Sequence, residues 1–401
     1  MAEKKINNGR TISHSPFDRT EHVLEKLLAN KEHFICNGSI DVLASNLIQA
    51  LTQCGIKINL WEGLATSGKI TDAITNNRGV TSVFAHSLIT VNPEAVEAAM
   101  PGLFVGTFRA HKENSAIASS TAAARMNYDR PEEVTLVTTG NILEKGSDVH
   151  VSIMTKKRLR NDSANMPTVL TIGIDDFDSE IQRNPKWIEG ATLNSLKKQF
   201  VTHKALLFLL KELGYPSDFP FQPRHTQKHF LDYRNDLMKQ IIKKLKAKKY
   251  KLASAESATG GRLVDALTDI EGGADVIGRS NVLYNEDVKR EAGVPEDTLT
   301  QAAVYSEFAA YELARTVIGL DPKKPETQVQ IGFTGLLEDK DNRNKDTIKQ
   351  SKGSIYFAVL AKDKRAHAKS IRIPVRNRLE MKEMSTIIVY RYLLKILSEK
   401  N

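Results

Sequence analysis

Residues 250–270 set a strand, a glycine-rich turn and a helix end to end, YKLASAESATGGRLVDALTDI. Alternation and small apolar residues over 250–255 predict the strand. Leu263, Val264, Ala266, Leu267 and Ile270 recur at three-and-four spacing, which predicts one buried face of a helix starting after Gly261. The first N–H groups of such a helix lack intrahelical partners, and the helix dipole favours negative charge there. The chemistry on offer is anion binding at Thr259-Gly260-Gly261. The alternative is a tight turn that needs glycine for its backbone angles, with Glu256 just before it bonding backbone N–H groups at the helix start. A second candidate, Gly63 through Gly68-Lys69, meets the first seven positions of the phosphate loop GxxxxGK[ST]. Its eighth residue is Ile70, which has no hydroxyl for Mg²⁺, and no hydrophobic strand ending in Asp is placed to hold that metal. A nucleoside-triphosphatase is therefore disfavoured.

The elements that position these turns belong to a 401-residue chain, 41% hydrophobic and 26% charged, which predicts two or three folded domains. The longest apolar run, residues 205–210, is far short of a membrane span. The polar, basic start, MAEKKINNGRTISHSP, is no secretory signal. Cys36 and Cys54 give neither a disulfide framework nor metal-ligand spacing, so a reducing cytoplasm is the expected setting and no metal or cofactor is expected. The net charge of +9 raises nucleic acid as a partner. Yet the densest lysine cluster, 239–251, lies opposite an apolar stripe of Leu237, Ile241, Ile242 and Leu245 and has few aromatics nearby. That is the pattern of a solvated helix face, not of a stacking platform.

Residues 1–20 read as a mobile tail. Pro216, Pro220 and Pro223 break any regular element and mark a linker at 216–230. The stretches on either side, 21–215 and 231–401, echo each other. KINLWEGLATSGKI answers YKLASAESATGGRL, and residues 79–99 match 272–292 without a gap. VTLVTTG answers VQIGFTG, and both stretches close on LLK followed by a leucine. Four pairs in the same order at similar spacing predict two divergent copies of one α/β domain. Such copies are expected to pack face to face as an internal pseudo-dimer, with further homodimerisation open.

The second stretch resembles the C-terminal domain of the CinA family, the nicotinamide-nucleotide amidases. The resemblance rests on AESATGG at 255–261, YNEDVK at 284–289, AVYSE at 303–307, GFTG at 332–335 and GSIY at 353–356. It implies tandem three-layer α/β/α domains and hydrolysis of the amide of nicotinamide mononucleotide. It also implies a serine nucleophile from a GSS loop, with the Tyr and Lys of a YSNEAK segment beside it. Tyr284 and Lys289 stand at those last two positions. Glu256, Ser257, Thr259, Gly260, Gly261, Thr334 and Gly335 stand where a nucleotide-like ligand would be held.

Laid out by residue, the set is incomplete. The GSS loop reads Gly272-Gly273-Ala274, and a charged run from Glu338 replaces the family's glycine-rich loop. The first copy fails in the complementary way. Thr81 takes the nucleophile position, but Val91 and Val96 replace the Tyr and Lys. The leading expectation is a catalytically degenerate protein that binds a small molecule or a protein partner. The alternative is a working amidase with a substitute nucleophile, such as Ser257, Thr259 or Ser280, or Thr81 of one copy meeting Lys289 of the other.

Overall fold

The computed structural model describes residues 34–77, 79–91, 133–142, 147–154, 167–215, 218–300, 303–317, 328–337, 352–362 and 366–399, with a few more within 95–126. The expected tail at 1–20, Pro216 and the charged run from Glu338 lie outside them.

The fold is mixed α/β, built on one large central sheet. The strands of the first half are β1 (Ile35–Cys36), β2 (Lys57–Glu62), β3 (Phe84–Ile89), β4 (Glu133–Thr139), β5 (Asp148–Met154) and β6 (Thr168–Gly173). After β7 (His225–Thr226), the second half carries β8 (Leu252–Glu256), β9 (Ser280–Leu283), β10 (Val329–Leu336), β11 (Ser354–Ala361) and β12 (His367–Arg372). All but β1 and β7 join a sheet of order β12-β11-β10-β8-β9-β3-β2-β4-β5-β6. Read outward from its middle, each half shows its second, first, third, fourth and fifth strands. The inner three run parallel in each half and the outer two antiparallel. At the middle, β3 and β9 pair antiparallel, His86 opposite Leu283 and Ile89 opposite Ser280.

The helices around the seam and the candidate site are α1 (Ser39–Cys54), α2 (Lys69–Thr75), α3 (Val80–Val83), α4 (Leu193–Glu212), α5 (Lys228–Lys248), α6 (Arg262–Thr268), α7 (Glu286–Glu291), α8 (Glu307–Thr316) and α9 (Arg378–Ser398), and one more helix, Ile174–Arg183, follows β6. None among the described residues is long and apolar enough to cross a membrane. Strand alternation sorts the side chains by face. On β11, Ile355, Phe357 and Val359 enter a core shared with α5 and α9, while Ala358 and Leu360 meet Ala310 and Ala314 of α8. The first of these cores runs unbroken from Ile40 and Leu43 in α1 to Leu393 in α9, so both halves bury apolar surface together. The stretch between the halves is packed down. Phe221 meets Trp187 and Phe200 edge-on at 5.1 and 5.4 Å, and β7 pairs with β1.

Where the halves meet, α2 and α6 come together inside a buried ion cluster. Lys69 binds Asp265 across the seam, and Arg262 reaches back to Asp72 at 3.8 Å. Lys198 of α4 donates to the Asp265 carbonyl, its Oδ1 and Thr268 Oγ1 at 2.9, 2.7 and 3.0 Å. Lys382 of α9 repeats that pattern on Asp72 and Thr75, at 3.1, 3.2 and 2.7 Å. Arg224 bridges Asp41 and Asp72, while Arg234 bridges Asp269 and Glu383. Burial pulls Lys382 down to about 7 against the attraction of Asp72, and Lys69 down to about 8 against Asp265. For Asp72 and Asp265 burial pushes upward, but the surrounding cations override it and hold both carboxyls well below the ordinary 3.8.

Removing one partner of a buried pair strands the others without compensation. Asp265→Asn is expected to lower stability by about 3–5 kcal/mol in urea unfolding. Lys246→Ala, which removes an exposed pair with Asp275, is expected to cost under about 1 kcal/mol. Because the unfolded chain protonates Asp72 and Asp265 first as pH falls, their contribution is present above their unfolded value of 3.8. It is lost as pH drops through their folded values, so thermal melts should show Tm falling steeply below about pH 4.

Candidate composite active site

The strand–turn–helix stretch folds as its pattern implies, with β8 ending at Glu256 and α6 starting at Arg262. Its helix-start donors are already taken. Gly261 N and Leu263 N donate to Glu256 Oε2 at 3.0 and 3.1 Å. In the first half, Gly68 N and Ile70 N donate to Glu62 Oε2 at 3.1 and 3.0 Å, and Thr71 N to Oε1 at 2.8 Å. Each turn thus holds the chain's own carboxyl group. Burial raises both carboxyls, and these hydrogen bonds oppose it. Gly68 and Gly261 take left-handed φ of 92° and 90° and pack back to back, so that a Cβ on Gly68 would sit 2.8 Å from the Gly261 carbonyl. A Cβ on Gly260 would sit 2.1 Å from Thr75 Oγ1. Gly260 and Gly261 therefore lie at the seam, and Glu256 and Thr259 beside them are fully buried.

The other candidates gather past the C-terminal ends of the parallel strands, where open α/β sheets place ligands. Ser257 is 7% exposed, and its N–H donates to the Phe333 carbonyl at 3.0 Å. Thr334 Oγ1 donates to the Val304 carbonyl at 3.1 Å, and Gly335 stays in the β10–β11 ladder opposite Ile355. Tyr284 follows β9 and leads into α7, which carries Lys289, 5% exposed. Asn285 caps that helix, accepting from Val288 N at 2.9 Å. Its amide donates across the seam to the Phe84 and Ala85 carbonyls at 3.4 and 3.5 Å.

Tyr284 meets the Phe84 ring edge-on at 5.9 Å. Phe84 opens β3 directly after the α3 turn, which carries Thr81, an exposed residue. The residues that follow the Thr81 turn in the first half thus meet Tyr284 and Asn285 of the second. Ala274 is not there. It lies in a turn whose Asp275 pairs with Lys246 at 2.7 Å, and the next residue but two, Ile277, bridges to Leu252 at the start of β8. Val282 stands opposite Glu256 at the other end, so Ala274 and Tyr284 are separated by a ladder about 13 Å long. Instead, the Ala274 turn leads toward the end of β3, where Ile89 meets Ser280 and buried Val91 follows. Val96 packs against the Trp61 and Leu88 cluster.

One further group joins the Tyr284 side. Arg378, the first residue of α9, donates from Nη2 to Tyr284 Oη at 2.8 Å, with its guanidinium 6.0 Å from the ring centre. Ninety-four positions separate the pair, so no local pattern announces it. The cap at Asn285 was readable, being an Asn before an acidic first turn.

Residues 234–397 match the CinA C-terminal domain. The nicotinamide-nucleotide amidohydrolase PncC of Enterobacter agglomerans is 34% identical over 128 residues, covering 27% of this chain and 76% of that protein. The chain belongs to the CinA C-terminal domain family. A competence-damage inducible protein of Bacillus cytotoxicus is 32% identical over 136 residues, which is 33% of this chain. This chain spans about a third, 31%, of that protein's length. Among solved structures, the competence/damage inducible protein CihA of Agrobacterium tumefaciens is 23% identical, with a TM-score of 0.36, covering 41% of this chain and 96% of that one. The matched family residues are those of the second half; β2 to β6 lie outside them.

Gly260→Ala is expected to lower Tm by several degrees. It combines a left-handed φ of 59° with a side chain driven into Thr75, and both effects act on the seam.

Proposed function

We propose that this member of the CinA C-terminal domain family is an amide hydrolase for a nicotinamide-nucleotide-like substrate, working through a single site made from both halves. The observation that carries this reading is the antiparallel β3–β9 pairing, which sets the α3 turn of the first half beside Tyr284. On this reading Thr81 supplies the nucleophilic oxygen, and the Lys289 amine takes its proton. The Tyr284 phenol and the Arg378 guanidinium face the oxyanion of the tetrahedral intermediate. Lys289 returns the proton to the departing nitrogen, ammonia leaves, and water hydrolyses the threonyl ester to the carboxylate.

The degenerate reading applies to the opposite composite position, where Ala274, Val91 and Val96 offer neither hydroxyl, phenol nor amine. In the first half, α4 starts Leu193-Asn194 where α9 of the second starts with Arg378. We further propose that the halves descend from one duplicated domain and pack as an internal pseudo-dimer, a reading supported by the mirrored strand order. Two exposed free thiols, Cys36 and Cys54, suit a reducing cytoplasm.

The test is ammonia release from nicotinamide mononucleotide. Thr81→Val and Lys289→Ala are each expected to lower kcat by at least about a hundredfold, while Ala274→Ser leaves it unchanged. Full activity in Thr81→Val removes the composite assignment. Tight binding without any release by the wild-type chain leaves a binding protein in place of the enzyme.

A further inference from the structure

The central sheet ends on β12 at one edge and on β6 at the other. An edge strand leaves alternate N–H and C=O groups without ladder partners, and proteins commonly blunt such edges with charge. β12 follows that rule, carrying Lys369 and Arg372 in HAKSIR. β6 does not: TVLTIG holds no charged residue, and Thr171 within it is exposed. Among the described residues only β5 pairs with β6, from Ile153 opposite Thr168 to Asp148 opposite Gly173. We propose that β6 is a docking edge for a second copy of this chain, the two β6 strands pairing antiparallel about a two-fold axis at Leu170.

A two-fold axis normal to the sheet keeps each face on its own side, so residues that meet must come from the same face. On β6, Ile172 enters the main core and Leu170 packs against it, which places Thr168 on that face too and Val169 and Thr171 on the other. Centring the pair on Leu170 therefore sets Leu170 on its own copy, Thr168 on Ile172 and Val169 on Thr171. These are apolar and hydroxyl contacts in which no like charges meet. The same operation on β12 would bring Lys369 and Arg372 toward their own copies. Pro167, which has no N–H to donate, stands just before β6 and limits the ladder to the strand itself.

Charge around the edge sets the direction of pairing. Asp176 Oδ2 and Asp148 Oδ1 lie 3.7 and 4.0 Å from where a Cβ on Gly173 would sit, and Asp175 is exposed beside them. The other end carries both signs: Thr168 Oγ1 donates to Glu212 Oε2 at 2.9 Å, and exposed Lys211 precedes Glu212. Parallel pairing would stack one acidic end on the other. The antiparallel form holds the two acidic ends roughly 20 Å apart, six residues of strand, and sets each against the mixed end of the other copy.

The test reads assembly alone and is independent of the hydrolase reading. A ladder this short makes a weak dimer, so sedimentation of the full chain should show a monomer–dimer equilibrium with Kd of about 10–100 µM. Small-angle scattering should show the dimer lengthened by roughly 45 Å, since ten further strands are added at about 4.8 Å each. Thr171→Lys, at an exposed position, should raise Kd about tenfold with the circular-dichroism spectrum unchanged. Adding Val169→Asp puts each new carboxylate opposite the new amine of the other copy, and should return Kd to within about threefold of the wild type. Ser370→Lys, at an exposed position of β12, should leave Kd unchanged. A wild-type chain that stays monomeric to about 0.5 mM, a dimer untouched by Thr171→Lys, a double variant no tighter than that single one, or a dimer broken by Ser370→Lys overturns the proposal.

Discussion

Everything distinctive about this molecule follows from two short strands, Phe84–Ile89 and Ser280–Leu283, lying side by side in opposite directions. A parallel junction would put equivalent ends together. The antiparallel one crosses them, so the segment leaving one half's second strand meets the turn entering the other's. Neither half can then own a site built from both kinds of segment. The buried ions around α2 and α6 hold that arrangement in register, because Arg224, Arg234 and Arg262 each reach carboxylates from more than one element and Lys69 pairs with Asp265 across the seam. Sliding the halves past one another would strand charges in a medium that stabilises them only as pairs.

The glycine turns show how a motif can keep its backbone while changing its occupant. Helix starts attract anions because their first N–H groups are orphaned. Here Glu62 and Glu256, six and five residues upstream of the bonded glycines, fold back to meet that demand. The second glycine of each turn has no room for a side chain because its counterpart stands against it. The turns are thus joints between the halves.

Much of this was legible in the chain. The echo between KINLWEGLATSGK and YKLASAESATGGR marks the paired β2–α2 and β8–α6 units, because alternation, glycine and three-and-four spacing are all local signals. The role of Glu256 was legible for the same reason: its partners lie within seven residues. The position of Ala274 relative to Tyr284 was not. Ten residues apart in sequence, they sit at opposite ends of a strand, and only the register of that strand shows the separation. The contact of Arg378 with Tyr284 is hidden by distance along the chain, and nothing local marks Lys198 and Lys382, on helices, as fully buried. Burial of charge is decided by tertiary neighbours, which leave no periodic trace in the sequence.

Because β3 and β9 belong to one polypeptide, their meeting does not depend on concentration. Two separate subunits must find each other, and any residue that improves one end of a symmetric contact appears at the other end as well. A covalent link lifts both conditions. Lys69 faces Asp265 while the reciprocal place holds Arg262 facing Asp72 at a longer 3.8 Å, an asymmetry that a two-fold assembly of identical chains cannot hold. Dilution that would dissolve such an assembly leaves this junction intact, and each side of it is free to diverge under its own demands.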